Sequence, residues 1–91
     1  MDRIGFENEL RSAGFEVSEN SVAAREQRHP HAHDFDVEAL VIEGEITLAC
    51  NGESKTYRAG DRFSMAAGIP HKEVIGPEGV RYVVGRRRRS T

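Results

Sequence analysis

The sequence is most informative first in what it lacks. There is one cysteine, Cys50, so no disulfide can close within the chain. A reducing compartment suits such a protein. The opening stretch MDRIGFENEL has no apolar run and carries Asp2, Glu7 and Glu9, so no signal peptide is expected. No segment is apolar for long enough to cross a bilayer. A cytoplasmic protein is therefore expected, with no membrane partner. Apolar residues are sparse as well: Leu, Ile, Val and Phe together number 20 of 91. That is just above the range in which chains stay disordered, and the net charge of −2 is small.

At this length the chain makes one domain close to the margin of stability. Two supports suit a domain so small: a bound metal ion, and apolar surface buried in a homodimer. Charge is unevenly spread. Arg86 to Arg89 form a basic run, and without it the body carries about −6. An acidic body without basic residues interleaved among aromatics argues against nucleic acid as a partner. The six residues from Arg86 to Thr91 read as a solvated, frayed tail.

Residues 2–13 have helical spacing, with Ile4, Phe6, Leu10 and Ala13 on one face and Gly14 placed to end the helix. Beyond Gly14 the punctuation is that of β structure. Strands are expected at Phe15–Val17, Val22–Arg28, Val37–Ile42, Glu45–Cys50, Ser54–Arg58, Arg62–Met65, Lys72–Ile75 and Val80–Gly85. Asn51-Gly52 is a strong hairpin signal, because both positions of a tight two-residue turn need positive φ. Short, evenly spaced strands imply an all-β sandwich or barrel. The expected organisation is a helix over 1–14, a barrel over 15–85 and a tail over 86–91. Ala39-Leu40-Val41-Ile42 is apolar on both faces, so this strand needs cover outside the barrel, from the helix or a second subunit.

All four histidines fall in two places: His29, His31 and His33 in HPHAHDFDVE, and His71 in AAGIPHKE. Alternate residues of a strand point the same way, so His31 and His33 present two imidazoles on one face, roughly 7 Å apart. A third ligand has to come from another strand, where His71 stands. Neutral imidazoles suit Zn, Cu, Fe and Ni, and three protein ligands leave a position open for water or substrate.

These segments resemble the cupin family. His31-Ala-His33 followed by Glu38 and Gly44 resembles its first motif. Gly60-Asp61, Gly68 and His71 follow the spacing of its second motif, G-D-x-x-x-x-P-x-G-x-x-H. The resemblance covers roughly residues 22–85. It implies an all-β, double-stranded β-helix or jelly-roll barrel with a short N-terminal helix. It also implies one divalent metal ion (Zn, Fe, Mn, Ni or Cu) near one mouth, a small-molecule ligand and a homodimer. The metal ligands it implies are His31, His33 and His71, with Glu38 as the fourth.

Three positions depart from the pattern. Ala66 stands where the second motif has Pro, and Ile75 where many cupins have Asn. The third departure concerns the acid. The spacing from His33 to Gly44 puts the acid position at Val37, and Glu38 faces inward only if a bulge intervenes near Asp34-Phe35. Asp36 or water are the alternatives. Glu73 shares a face with His71 if the strand is regular, and can orient that histidine, act as acid or base, or be solvated at the rim. His29 reads as a rim residue, Tyr82 as part of the cavity wall, and Cys50 as a small buried hydrophobe. Two functions suit these features. One is a metal-dependent cupin that binds and transforms a small organic molecule. The other is a non-catalytic binding or sensing module that acts through a partner.

Overall fold

A computed structural model describes residues 2–24, 27–31 and 34–88, excluding the side chains of 27–31. The helix α1 spans Arg3–Ser12. Six strands follow: β1 Glu16–Val22, β2 Gln27–His31, β3 Phe35–Cys50, β4 Glu53–Arg58, β5 Arg62–Met65 and β6 His71–Arg88. Every pairing among them is antiparallel, and β1, β6, β3 and β4 are neighbours in that order. β2 adds to β6 and β5 adds to β3.

The two long strands build the barrel. β3 and β6 lie side by side from Phe35 opposite Arg88 to Ala49 opposite Lys72, with register shifts near Glu43 and Gly44. There the strands bend, as bulges allow. Gly44 sits at φ 76° and Gly79 at φ 77°, a region that costs an L side chain energy. A Cβ on Gly44 would collide with the carbonyl of Gly79. The bends bring the backbones too close for any side chain, and this closes one end of the barrel. The opposite end, where β3 and β6 both begin and finish, is the mouth.

Alternation along β3 separates two cores. Val37, Ala39 and Val41 face inward and pack with Ile46, Leu48, Phe63, Ile75, Tyr82 and Val84. Leu40 faces outward and packs with Val83 against Phe6 and Leu10 of α1. The cover that the doubly apolar strand needs therefore comes from the helix. Burying Phe6 and Leu10 contributes roughly 1.5–3 kcal/mol each. Asp2 caps the helix by accepting from the Ile4 amide. Glu7 bridges Arg3 and Arg11 one turn away on either side. Its hydrogen bond from Arg3 holds the carboxyl below its ordinary value.

Several expected boundaries are corrected. The strand expected over Val22–Arg28 does not run through: β1 ends at Val22 and β2 begins at Gln27. Val37–Ile42 and Glu45–Cys50 are one bent strand, as are Lys72–Ile75 and Val80–Gly85. The tail does not begin at Arg86, because β6 runs on through Arg88. Arg86 donates to Ser18 Oγ at 3.0 Å, and its guanidinium lies 5.8 Å from the Phe35 ring centre. Arg87 donates to the Ala13 carbonyl at 2.8 Å and lies 4.5 Å from the Phe15 ring centre. Arg88 pairs with Asp34 at 3.4 Å. The long arginine stems lie along the protein while their heads find partners. No helix among the described residues is long and apolar enough to cross a membrane.

Candidate metal and ligand site

His71 opens β6 at the mouth of the barrel. The turn before it is held by Asp36, whose Oδ1 accepts from the Ala67 amide at 2.8 Å. This turn presents the Ile69 carbonyl 3.3 Å from His71 Nδ1. A carbonyl can only accept, so Nδ1 is the donor in that contact. Period two along β6 then puts His71, Glu73 and Ile75 on one face. All three are buried, His71 at 3% and Glu73 at 5% exposure. Nε2 of His71 lies 3.3 Å from Oε2 of Glu73.

Two hollows border this wall, and Leu48 and Met65 line both. The inner one, about 120 Å³, is bordered by Glu73, Tyr82, Asn20, Phe63, Val37 and Arg86 among others. The outer one, about 410 Å³, takes in His71, Cys50, Glu53, Lys55, Tyr57 and Ile69. Seven of the eleven residues that line the inner hollow are apolar. Polar groups enter from β6: Glu73, the Tyr82 hydroxyl that accepts from Asn20 Nδ2 at 3.4 Å, and Arg86. In the outer hollow Lys55 Nζ stands 5.3 Å from the Tyr57 ring centre. Such a mouth suits a small molecule with an apolar body and a few polar groups.

The sequence candidates separate as follows. His71 and Glu73 come together, and Tyr82 lines the inner hollow. Glu38 does not enter the site. It stands on the outer face with Leu40, its Oε1 3.7 Å from an Arg62 nitrogen, while Val37 takes the inward position. Asp36 shares that outer parity and holds the 66–70 turn through Ala67. On β3 these positions set Glu38 beside Arg62 and Asp36 at the 66–70 turn. A one-residue offset sends a side chain to the other face, and β3 is regular from Phe35 to Val41. Glu38 instead joins a clasp outside the barrel, in which Arg62 also pairs with Glu9 and stacks 4.8 Å from the Phe6 ring centre.

The backbone of His31 lies in β2 directly opposite His71. His29 lies in the same strand, and nothing further is described of either side chain. His33 lies outside the described residues. Among the described residues no group of three His, Cys, Asp or Glu side chains converges on one point. The pair that is described, an imidazole nitrogen beside a carboxylate oxygen, is nonetheless a donor set that fits a divalent first-row cation. Cys50, expected as a small buried hydrophobe, is half-buried and borders the outer hollow. Sequence reasoning did not single out Asn20 or Lys55. Asn20 pairs with Tyr82 across β1 and β6, and only the register reveals that.

Comparisons with known proteins agree with this fold. The cupin domain family matches residues 19–84. A search of curated proteins gives no match. Many solved structures are similar. A protein of unknown function from Rhizobium leguminosarum bv. viciae 3841 superposes with TM-score 0.78 at 17% identity, over 85% of this chain and 73% of its own. A cupin-2 domain protein from Shewanella frigidimarina gives 0.68 at 23% identity, over 81% and 71%. The polyketide cyclase RemF from Streptomyces resistomycificus gives 0.67 at 25% identity, over 85% of this chain and 61% of RemF. With the family matched over most of its length and the barrel observed, the chain belongs to the cupin domain family.

Proposed function

We propose that this cupin holds one divalent metal ion at the barrel mouth with His31, His33 and His71, and there binds and transforms a small organic molecule. The observation that carries the proposal is the register between β2 and β6, with His31 directly opposite His71. Directly opposed backbone positions of an antiparallel pair are the closest across a sheet. The burial of His71 at the edge of the outer hollow supports the same reading.

When bound, the metal supplies a Lewis acid with an open position for water or substrate. The chain's own residues then do the rest. The apolar wall of Val37, Leu48, Phe63 and Val84 removes water from the ligand body. Tyr82, held by Asn20, offers a hydroxyl to a polar group of the ligand. Glu73 stands where a proton or a cation is to be held. RemF, a polyketide cyclase, is a precedent for transformation on such a barrel. The proposal keeps the homodimer and the cytoplasmic setting; sedimentation of the purified chain tests the first.

A binding or sensing module remains the second reading, favoured by the scarcity of proton-transfer groups in the inner wall. Turnover of a ligand by the wild type, lost in Tyr82→Phe with binding intact, decides for the enzyme. The metal is tested by elemental analysis of untagged protein as purified. Stoichiometric metal that disappears in His33→Ala supports the proposal. No metal, with a melting temperature indifferent to a chelator and to His33→Ala, overturns it.

A further inference from the structure

The proposed site draws its histidines from His31, His33 and His71, while on β3 Val37 faces inward and Glu38 pairs with Arg62 on the outer face. We infer that Glu73, two residues beyond His71 on β6, is the carboxylate ligand of the metal. This rests on the metal reading above and assigns the ligand that reading leaves open.

Distance is the first argument. Two donor atoms each about 2.0–2.2 Å from one ion, at angles between octahedral and tetrahedral, stand roughly 2.9–3.5 Å apart. His71 Nε2 and Glu73 Oε2 are 3.3 Å apart. The second argument is place. Glu73 and Val37 border the same inner hollow, so the carboxylate enters from β6 the space that a β3 carboxylate would have occupied. A side chain 5% exposed among Val37, Leu48 and Val84 is poorly placed to be a solvated rim residue. His71 and Glu73 thus form a chelating pair of alternate residues on one strand.

The test uses the full chain stripped of metal and titrated with Co(II), followed by its visible absorption, in wild type, Glu73→Gln and Glu38→Gln. The expected result is one Co(II) bound by the wild type. Glu73→Gln is expected to bind at least about a hundredfold more weakly with shifted bands. Glu38→Gln is expected to match the wild type. Wild-type affinity and an unchanged spectrum in Glu73→Gln overturn the assignment alone. Failure of the wild type to take up Co(II) overturns the metal reading with it. If Glu73→Gln does not fold, the Co(II)-loaded wild-type crystal decides. A Glu73 oxygen about 2.0–2.2 Å from the anomalous peak upholds the assignment. A Glu73 carboxylate outside coordination distance overturns it.

Discussion

Glu73 and His71 meet 3.3 Å apart inside the barrel wall, a carboxylate and an imidazole both almost wholly withdrawn from water. Burying a carboxylate among apolar side chains costs stability, because the ion loses its hydration. A fold that was shaped only for stability would place an apolar residue there, as it does at Ile75 two positions on.

The first prediction follows from that cost. Glu73→Leu should leave the metal-free protein at least as stable as wild type, and more stable by about 1 kcal/mol if the hollow accepts the side chain. The same variant should lose the rise in melting temperature that added metal gives the wild type. Thermal unfolding with and without metal measures both. Destabilisation of the metal-free variant by several kcal/mol would show that Glu73 is a structural anchor instead.

Gly44 makes the second prediction. It combines φ 76° with a backbone contact to Gly79 that leaves no room for a Cβ. Gly44→Ala should cost about 3 kcal/mol or more, from strain at positive φ together with displacement of the bend. Gly52→Ala is the control. Gly52 has φ 80° but nothing near its missing Cβ, so only the conformational part, about 1 kcal/mol, applies. Urea unfolding of the two variants separates close approach from backbone conformation. Equal losses would contradict this account of the closed end.

Phe6 makes the third. It is the centre of the outer core and the ring on which Arg62 rests. Phe6→Ala should cost about 3–5 kcal/mol. At this chain length each kcal/mol lowers the melting temperature by roughly 4–8 °C. Metal uptake at temperatures where the variant stays folded should be unchanged, because the helix covers the outside of β3 and the site lies within.

The elements readable from the sequence were those governed by local chemistry. Gly14 follows the helix, and Asn51 and Gly52 take φ 53° and 80° between β3 and β4. What could not be read depended on long-range register. Gly44 and Gly79 look like turns between strands, yet they are bends within β3 and β6, since their meeting across the barrel replaces a reversal of the chain. Arg86 to Arg88 look like a solvated run until Ser18, Phe15 and Phe35 are brought beneath them. Glu38 and Val37 differ by one position, and only the regularity of β3 from its first residue decides which one faces inward. Glu73 was legible as a neighbour of His71 by period two. Its burial was not, because that depends on Leu48 opposite it and Val37 across the hollow.

The central claim is that the mouth holds one divalent ion through His71. Calorimetric titration of Zn²⁺ into the untagged, metal-stripped chain tests it most directly, with His71→Ala as the comparison. The account predicts one equivalent bound per chain by the wild type. In His71→Ala, binding should be weakened at least about a hundredfold while the circular dichroism spectrum is kept. Zinc uptake that is absent in the wild type, or equally tight in His71→Ala, would contradict it.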